Sequence, residues 1–439
     1  MFYFKLILYI SLFEIILTNI NACGCCRKSK SPTSVNKKDL ITEDDNELNE
    51  HINPLNNFNN KDIKENIKED EENIKEGVKM NYNNKNILYN NDIMSKNTKN
   101  LEPGLIGLNN IGATCYMNAV LQCFSNVKRF REYILKFYDQ LNLEKDSNYR
   151  LSFAFAEVLK NLWQILTENS YSPEHFKKVI GDMNPLFAGI AAKDSKDLIL
   201  FMLEKFHNEM NVNEKNTQNS EISEQDEKDL NAVYNNFTSN YEKKNLSIIS
   251  QEFYGYNNTQ TTCCYCNVTT HNVAIFNMLF FPLKKVLDFK KNFDNTVSIL
   301  DCFDYSQEFD ENYPFYCKYC RIENSKSYSQ TVLIDAPQTL IINLNRGDGK
   351  QFNVNIVFDE YLNLQNYVKN QNSVKLYELI GVICLHGESG TAGHFIAFCK
   401  NSDNKKWYKF NDAFVDESNF DEVKSSGMPY VLFYTNAEV

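Results

Sequence analysis

The sequence predicts an α+β fold with helices first and an antiparallel sheet after, on three observations. Up to about residue 210, apolar residues recur at helical spacing with few breakers, over Phe130–Phe137, Leu151–Leu166 and Ser195–Met210. From Ile248 onward the texture changes to short β-branched and aromatic runs: Thr331–Ile334, Thr339–Leu344, Asn353–Phe358, Tyr377–Leu385, Phe395–Phe398 and Tyr430–Tyr434. Helices and strands segregated in this way mark α+β rather than alternating βαβ units. The 439 residues are 43% hydrophobic and 13% aromatic, enough for a sizeable core.

The N-terminus comes first. Phe2 to Ala22 is apolar, interrupted by Lys5, Glu14 and Asn19. It reads as a membrane anchor, with a cleaved signal peptide as the alternative. The basic Arg27, Lys28 and Lys30 that follow would leave the rest of the chain in the cytoplasm, and Cys23, Cys25 and Cys26 would sit at the membrane edge, open to acylation. Residues 1–30 are therefore set apart. Over 31–100 the composition collapses into Asn, Lys, Glu and Asp, which cannot form a core and predicts disorder. A stretch at about 211–245 has the same character and reads as a surface insertion, leaving 101–439 as the ordered domain. The formal net charge of −11 argues against a nucleic-acid partner and suits a basic one. Thirteen cysteines, two pairs of them in C-x-x-C spacing, suggest reduced thiols and metal rather than a disulfide scaffold.

The first chemical motif runs from Gly107 to Gln122. A glycine-containing polar run leads to Cys115, after which Met117, Val120, Leu121 and Phe124 recur on one helical face. Cys115 thus stands where a loop becomes a helix, and the partial positive charge of the first turn favours a thiolate there. A small buried apolar residue is the plainer reading of the same position.

A base has few candidates among six histidines. His51 falls in the predicted disorder, and His175 and His207 fall in helical segments. His386 ends one strand, and His394 opens the next after a glycine-rich loop. A hairpin from His394 to Lys400 and back along Lys406 to Phe410 would bring Asn411 or Asp412 near His394, where either could fix the imidazole tautomer.

Cys263 and Cys266 form one C-x-x-C pair, Cys317 and Cys320 another. Four thiolates from two such turns match a structural tetrahedral zinc with no open position for water. Cys264 is a spare beside the first pair.

With these residues in place, the chain resembles the ubiquitin-specific proteases, the cysteine deubiquitinases. Gly107 to Gln122 is similar to that family's cysteine box, and Tyr377 through His386, Gly393-His394, Trp407 to Asp412 and Tyr430–Tyr434 to its histidine box. The cysteine pairs fall where the family carries its zinc fingers. The resemblance implies a papain-like fold arranged as thumb (about 102–210), zinc-stapled fingers (about 248–330) and palm (about 331–439). It implies Cys115 as nucleophile, His394 as base, Asn411 as orienting residue with Asp412 sharing or replacing it, and Asn110 as oxyanion donor. It also implies Asp194 and His386 as substrate-binding positions. Ubiquitin and ubiquitinated proteins would be the partners, structural Zn2+ the one bound ion, and no catalytic cofactor is needed. Three departures stand out. The family's thumb motif Gln-Gln-Asp-x-x-Glu-Phe becomes Ala192-Lys193-Asp194-Ser195-Lys196-Asp197-Leu198, the aromatic after Arg346 becomes Gly347, and Phe395 follows the histidine. A ubiquitin-binding scaffold and a protease for a ubiquitin-like modifier are the alternative functions.

Overall fold

The structure, a computed structural model, describes residues 102–136, 150–165, 168–212, 222–223, 225–291, 294–347, 353–387 and 393–437. They belong to one unit of the chain, 93–439. The expected anchor, the predicted disorder over 31–100 and His51 lie outside the described residues. Among the described residues no helix is long and apolar enough to cross a membrane.

The chain enters on a two-residue strand, β1 (Gly107–Leu108), followed by helices α1 (Cys115–Ser125), α2 (Lys128–Lys136) and α3 (Leu151–Trp163). Strand β2 (Ser170–Tyr171) pairs in parallel with β1 and leads to α4 (Glu174–Met183) and α5 (Ser195–Met210). Every residue of α1 is buried, as expected for a helix surrounded by other elements rather than lying on a surface. Phe124 on α1 meets Phe130, Phe155, Phe253 and Phe433 edge-on at 5.5–6.4 Å between centroids. Edge-to-face pairs add about 0.5–1.5 kcal/mol each beyond burial. Phe433 belongs to the sheet, so this cluster joins the helical and sheet halves.

The stretch at 211–245 departs from expectation. It holds helix α6 (Leu230–Glu242), capped by Asp229, whose carboxylate accepts from Ala232 N. Tyr234 and Phe237 pack on Tyr256, Tyr241 lies beside Tyr254, and the Tyr234 hydroxyl donates to Asp335. Three aromatics on one helical face anchor a segment whose Asn- and Glu-rich composition conceals them. Helix α7 (Ile248–Phe253) follows, opened by a capping box between Ser247 and Ser250.

Strands then dominate. β3 (Gly255–Thr262) and β4 (Thr269–Phe276) form one hairpin. After β5 (Leu279–Pro282), α8 (Leu283–Lys290), β6 (Thr296–Ser298) and α9 (Ile299–Ser306), β7 (Asp310–Cys317) and β8 (Ile322–Asp335) form a second. The two hairpins share one antiparallel sheet in the order β4-β3-β8-β7. The remaining elements are β9 (Thr339–Asn345), β10 (Asn355–Val357), β11 (Tyr361–Asn363), β12 (Leu376–His386), β13 (His394–Lys400), β14 (Trp407–Asn411), β15 (Phe414–Ser418), α10 (Phe420–Ser425) and β16 (Met428–Asn436). The main sheet runs β15-β14-β13-β12-β16-β9-β5, with β11 beside β12. It is antiparallel except for the β5–β9 pair. The expected strand at 353–358 shrinks to β10, which pairs in parallel with β6 outside the main sheet.

The central strands are buried on both faces. Ile383, Ala397 and Phe433 join the core around α1, while Val382, Phe398 and Leu432 join a second core on the opposite side. The period-2 alternation of strand side chains divides them in this way. Helix α1 packs on β13 and β12, which sets Cys115 beside the start of the strand that begins at His394.

Candidate active site

The loop before α1 is built around Asn110. Its Oδ1 accepts from the backbone of Thr114 (3.0 Å) and Gly112 (3.3 Å), so a side chain outside the helix satisfies amides at its start. Thr114 Oγ1 in turn accepts from Ile111 N at 3.0 Å. Gly112 (φ 121°) and Ala113 (φ 46°) both take left-handed backbone conformations, which costs Ala113 about 1 kcal/mol. Gly107 touches the opposite wall: a Cβ there would lie 2.2 Å from the Ala413 carbonyl oxygen.

That wall is the end of β14, with Asn411, and the turn into β15, with Asp412. Asp412 has φ 51°, and its carbonyl accepts from Leu108 N at 2.8 Å. The hairpin of β13 and β14 pairs Ala397 with Phe410, placing Asn411 at the open end beside His394. His394 Nε2 lies 2.6 Å from Asn411 Oδ1. An amide oxygen only accepts, so Nε2 carries the proton and, in the neutral imidazole, Nδ1 is the nitrogen with the lone pair. Asp412 Oδ2 stands 3.9 Å from the same Nε2. Its two oxygens are bound elsewhere, Oδ2 accepting from Asn110 Nδ2 at 2.9 Å and Oδ1 from Asn118 Nδ2 at 2.8 Å. Asn411 is therefore the residue hydrogen-bonded to the imidazole, and Asp412 holds the two asparagine amides.

Cys115 is 5% exposed at the first position of α1. Its sulfur is approached by the backbone N–H groups of Phe395 and Tyr116, and no hydrogen bond joins it to His394. Burial raises the thiol pKa above the ordinary value and the Asp412 carboxylate adds to the rise, outweighing those amides. The helix start was expected to favour the thiolate, but in this arrangement desolvation and a nearby anion dominate.

Sequence reasoning missed Asn118 and Gln122. Asn118 Nδ2 faces the carbonyls of Leu108 (3.1 Å) and Asn109 (3.3 Å) as well as Asp412, and Gln122 Nε2 donates to Ile106 O at 2.9 Å. These two amides tie α1 to the Ile106–Asn109 segment that holds β1. Their polarity at buried helical positions was the available signal, since a polar group out of water needs a partner.

The two expected substrate-binding residues are placed differently from each other. His386 is paired with His394 across β12 and β13, but its ring lies against Gly427 (φ +66°), where a Cβ would come within 2.6 Å of Nε2. Burial, with help from Lys409 and His394, lowers its pKa. Asp194 caps α5, accepting from Lys196 N at 2.9 Å, and also accepts from the Tyr430 hydroxyl at 2.7 Å.

The four cysteines of the two C-x-x-C pairs meet at the tips of the finger hairpins, all Sγ atoms within 4.8 Å of one another. Cys263 faces Cys320 at 3.7 Å and Cys266 faces Cys317 at 3.6 Å. Four sulfurs about 2.3 Å from a tetrahedral zinc stand about 3.75 Å apart, so the cluster fits that ion. Backbone N–H groups of Tyr265, Cys266, Val268 and Ile322 point at these sulfurs, as thiolate ligands require.

The family model described as ubiquitin carboxyl-terminal hydrolase matches residues 106–434. The chain is 27% identical over 378 residues to human ubiquitin carboxyl-terminal hydrolase 21, covering 79% of this chain and 64% of that protein. It is 26% identical over 338 residues to ubiquitin carboxyl-terminal hydrolase Usp2 of Drosophila melanogaster, covering 75% of this chain and 35% of that one. The chain thus spans less than two thirds of the length of these curated relatives. Among solved structures, the fold is similar to the SAGA DUB module Ubp8/Sgf11/Sus1/Sgf73 bound to monoubiquitin, with a TM-score of 0.58 and 21% identity over 77% of this chain and 70% of that one. The same module bound to ubiquitin aldehyde gives a TM-score of 0.57 at 22% identity, again over 77% of this chain and 70% of that one.

Proposed function

The chain belongs to the ubiquitin carboxyl-terminal hydrolase family, and from that premise we propose that it is a thiol deubiquitinase, hydrolysing isopeptide and peptide bonds after the C-terminal glycine of ubiquitin. The observation that carries the reading is the meeting of Cys115, at the start of α1, with the strand that begins at His394, whose imidazole is held by Asn411 with Nδ1 free. His394 Nδ1 takes the proton of Cys115, and the sulfur attacks the carbonyl carbon after the terminal glycine. The oxyanion is met by the Cys115 N–H and by Asn110, which gives one amide hydrogen to Asp412 and has the other to offer. The intermediate collapses to a thioester as the imidazolium returns its proton to the leaving amine. His394 then takes a proton from water, which hydrolyses the thioester and frees Cys115.

Zinc at Cys263, Cys266, Cys317 and Cys320 is structural in this reading, tying the two hairpin tips together. The apolar and basic segments before residue 31 support attachment to a membrane with the catalytic part on the cytoplasmic side, a cleaved signal peptide being the alternative. The test is labelling by ubiquitin carrying a C-terminal thiol-reactive warhead, beside Cys115→Ala. The expected result is an adduct that depends on Cys115, and turnover that the substitution abolishes while ubiquitin binding persists. A folded protein that gives no adduct with ubiquitin, but does with a ubiquitin-like modifier, would reassign the substrate. Binding without any adduct would point to a scaffold.

A further inference from the structure

Helix α5 begins with an ion in an unfavourable place. The N-terminal turn of a helix carries partial positive charge and prefers anions, yet Lys196 is its second residue, between Ser195 and Asp197. Its ammonium folds back onto carboxylates on both sides, 2.6 Å from Asp194 Oδ2 and 3.3 Å from Asp197 Oδ1. The three side chains are 30–40% exposed, so the cluster opens to solvent. Burial works against the lysine's charge, but the two carboxylates more than offset it, and its pKa is raised.

The cluster lies beside the reacting centre. The Asp194 oxygen that holds Lys196 also accepts from the Tyr430 hydroxyl at 2.7 Å, the Tyr430 ring packs on Phe395 at 5.7 Å, and Phe395 N–H faces the Cys115 sulfur. On the same segment, the Ile190 side chain rests where a Cβ on Gly112 would come within 3.2 Å of it. Ile190 thus borders the cysteine loop and Asp194 is linked to the Cys115 surroundings through Tyr430 and Phe395, so in the deubiquitinase reading this is a side from which a substrate tail can reach Cys115. The carboxylates there already have a cationic ligand, supplied by the chain itself.

We propose that Lys196 sets the charge selectivity of this tail channel. By occupying Asp194 and Asp197, it withdraws both carboxylates from any cation on the substrate tail, so the channel treats neutral and basic tails nearly alike. A basic residue gains from the carboxylates only by displacing the ammonium. This rests on the deubiquitinase reading and deepens it.

The experiment compares the full chain with Lys196→Gln and Lys196→Arg on two substrates. One is ubiquitin bearing a C-terminal fluorogenic amide, and the other is the same conjugate with its tail cations replaced by neutral residues. The parent enzyme is expected to cleave both with kcat/KM equal within about twofold. Lys196→Gln is expected to gain about three- to fivefold on the basic tail alone, the size of a half-exposed ion pair. The gain should come through KM and shrink as salt rises. Lys196→Arg keeps the charge and should keep the parent's indifference. Equal changes on both tails, or a loss on both, would reduce Lys196 to a structural residue and overturn the inference while leaving the enzyme a deubiquitinase. A folded parent inert on both conjugates would overturn the deubiquitinase reading and this inference with it.

Discussion

Replacing Asp412 by Asn should slow catalysis while making the Cys115 thiol more reactive. Asp412 is 15% exposed and accepts two amide donors, from Asn118 at 2.8 Å and Asn110 at 2.9 Å. An asparagine has one accepting oxygen and one amide nitrogen, so in either orientation one of those donors faces another N–H group. A hydrogen bond to a charged group contributes about 1.5–3 kcal/mol. Losing the one that holds Asn110 would lower kcat by about 10- to 100-fold at about 1.4 kcal/mol per decade, with little change in KM. The thiol moves the other way. A carboxylate near the sulfur opposes ionisation, and Asp412 is among the causes that hold Cys115 above its ordinary pKa. Removing that charge lowers the thiol pKa, raises the thiolate fraction near neutral pH and speeds alkylation. The assay is iodoacetamide alkylation of Cys115 followed by peptide mass spectrometry across pH 6–9, with the exposed Cys264 as internal reference, beside turnover of a fluorogenic ubiquitin conjugate. If alkylation and turnover fell together, Asp412 would be activating the thiol and the assignment of its role to the Asn110 amide would be wrong.

Two further outcomes are expected. Metal analysis should find about one zinc per chain. Because Lys318 and Tyr319 lie between Cys317 and Cys320 and both meet Glu227, chelation should also raise hydrogen exchange in α6, the helix that follows Glu227. Unchanged protection over Leu230–Glu242 after metal loss would show that the cluster does not support the insertion. Gly107→Ala puts a methyl group 2.2 Å from the Ala413 carbonyl oxygen, an overlap with backbone that no rotamer relieves. A loss of about 1–3 kcal/mol in denaturant unfolding is expected, together with reduced turnover as the Asp412 turn shifts. A variant with parent stability would mean that the turn yields freely.

The residues that carry local signals were legible in the sequence. Cys115 drew notice because the chain passes from a glycine-containing loop into an apolar helical period, and His394 because a hairpin around a polar turn brings Asn411 or Asp412 near it. The cysteine pairs were legible because thiolate spacing is a local property. What escaped was long-range. Asn118 lies 294 residues from the carboxylate it binds, and only the folded chain shows that a polar side chain on an apolar helix is sealed against Asp412. The raised pKa of Cys115 depends on burial and on the same carboxylate, which outweigh the lowering by the amides at the helix start, the one influence readable locally. Helix α6 was hidden for a different reason: Tyr234, Phe237 and Tyr241 hold it against the fingers, but the surrounding asparagines set its average composition.

The electrostatic part of this site is therefore built before the nucleophile is ionised. Asn110 is bound at its oxygen by Gly112 and Thr114 and at its nitrogen by Asp412, so its side chain is held before substrate arrives, the condition under which the proposed oxyanion donor would be worth most. Cys115 is the reverse case, buried, with its pKa raised and not yet hydrogen-bonded to His394. The same carboxylate accounts for both facts. Asp412 fixes the Asn110 amide and, as an anion beside the sulfur, opposes the thiolate. A raised thiol pKa lowers the fraction of thiolate, the reactive form. In the proposed mechanism, ionisation accompanies proton transfer to His394 as substrate binding tightens the contact between imidazole and sulfur.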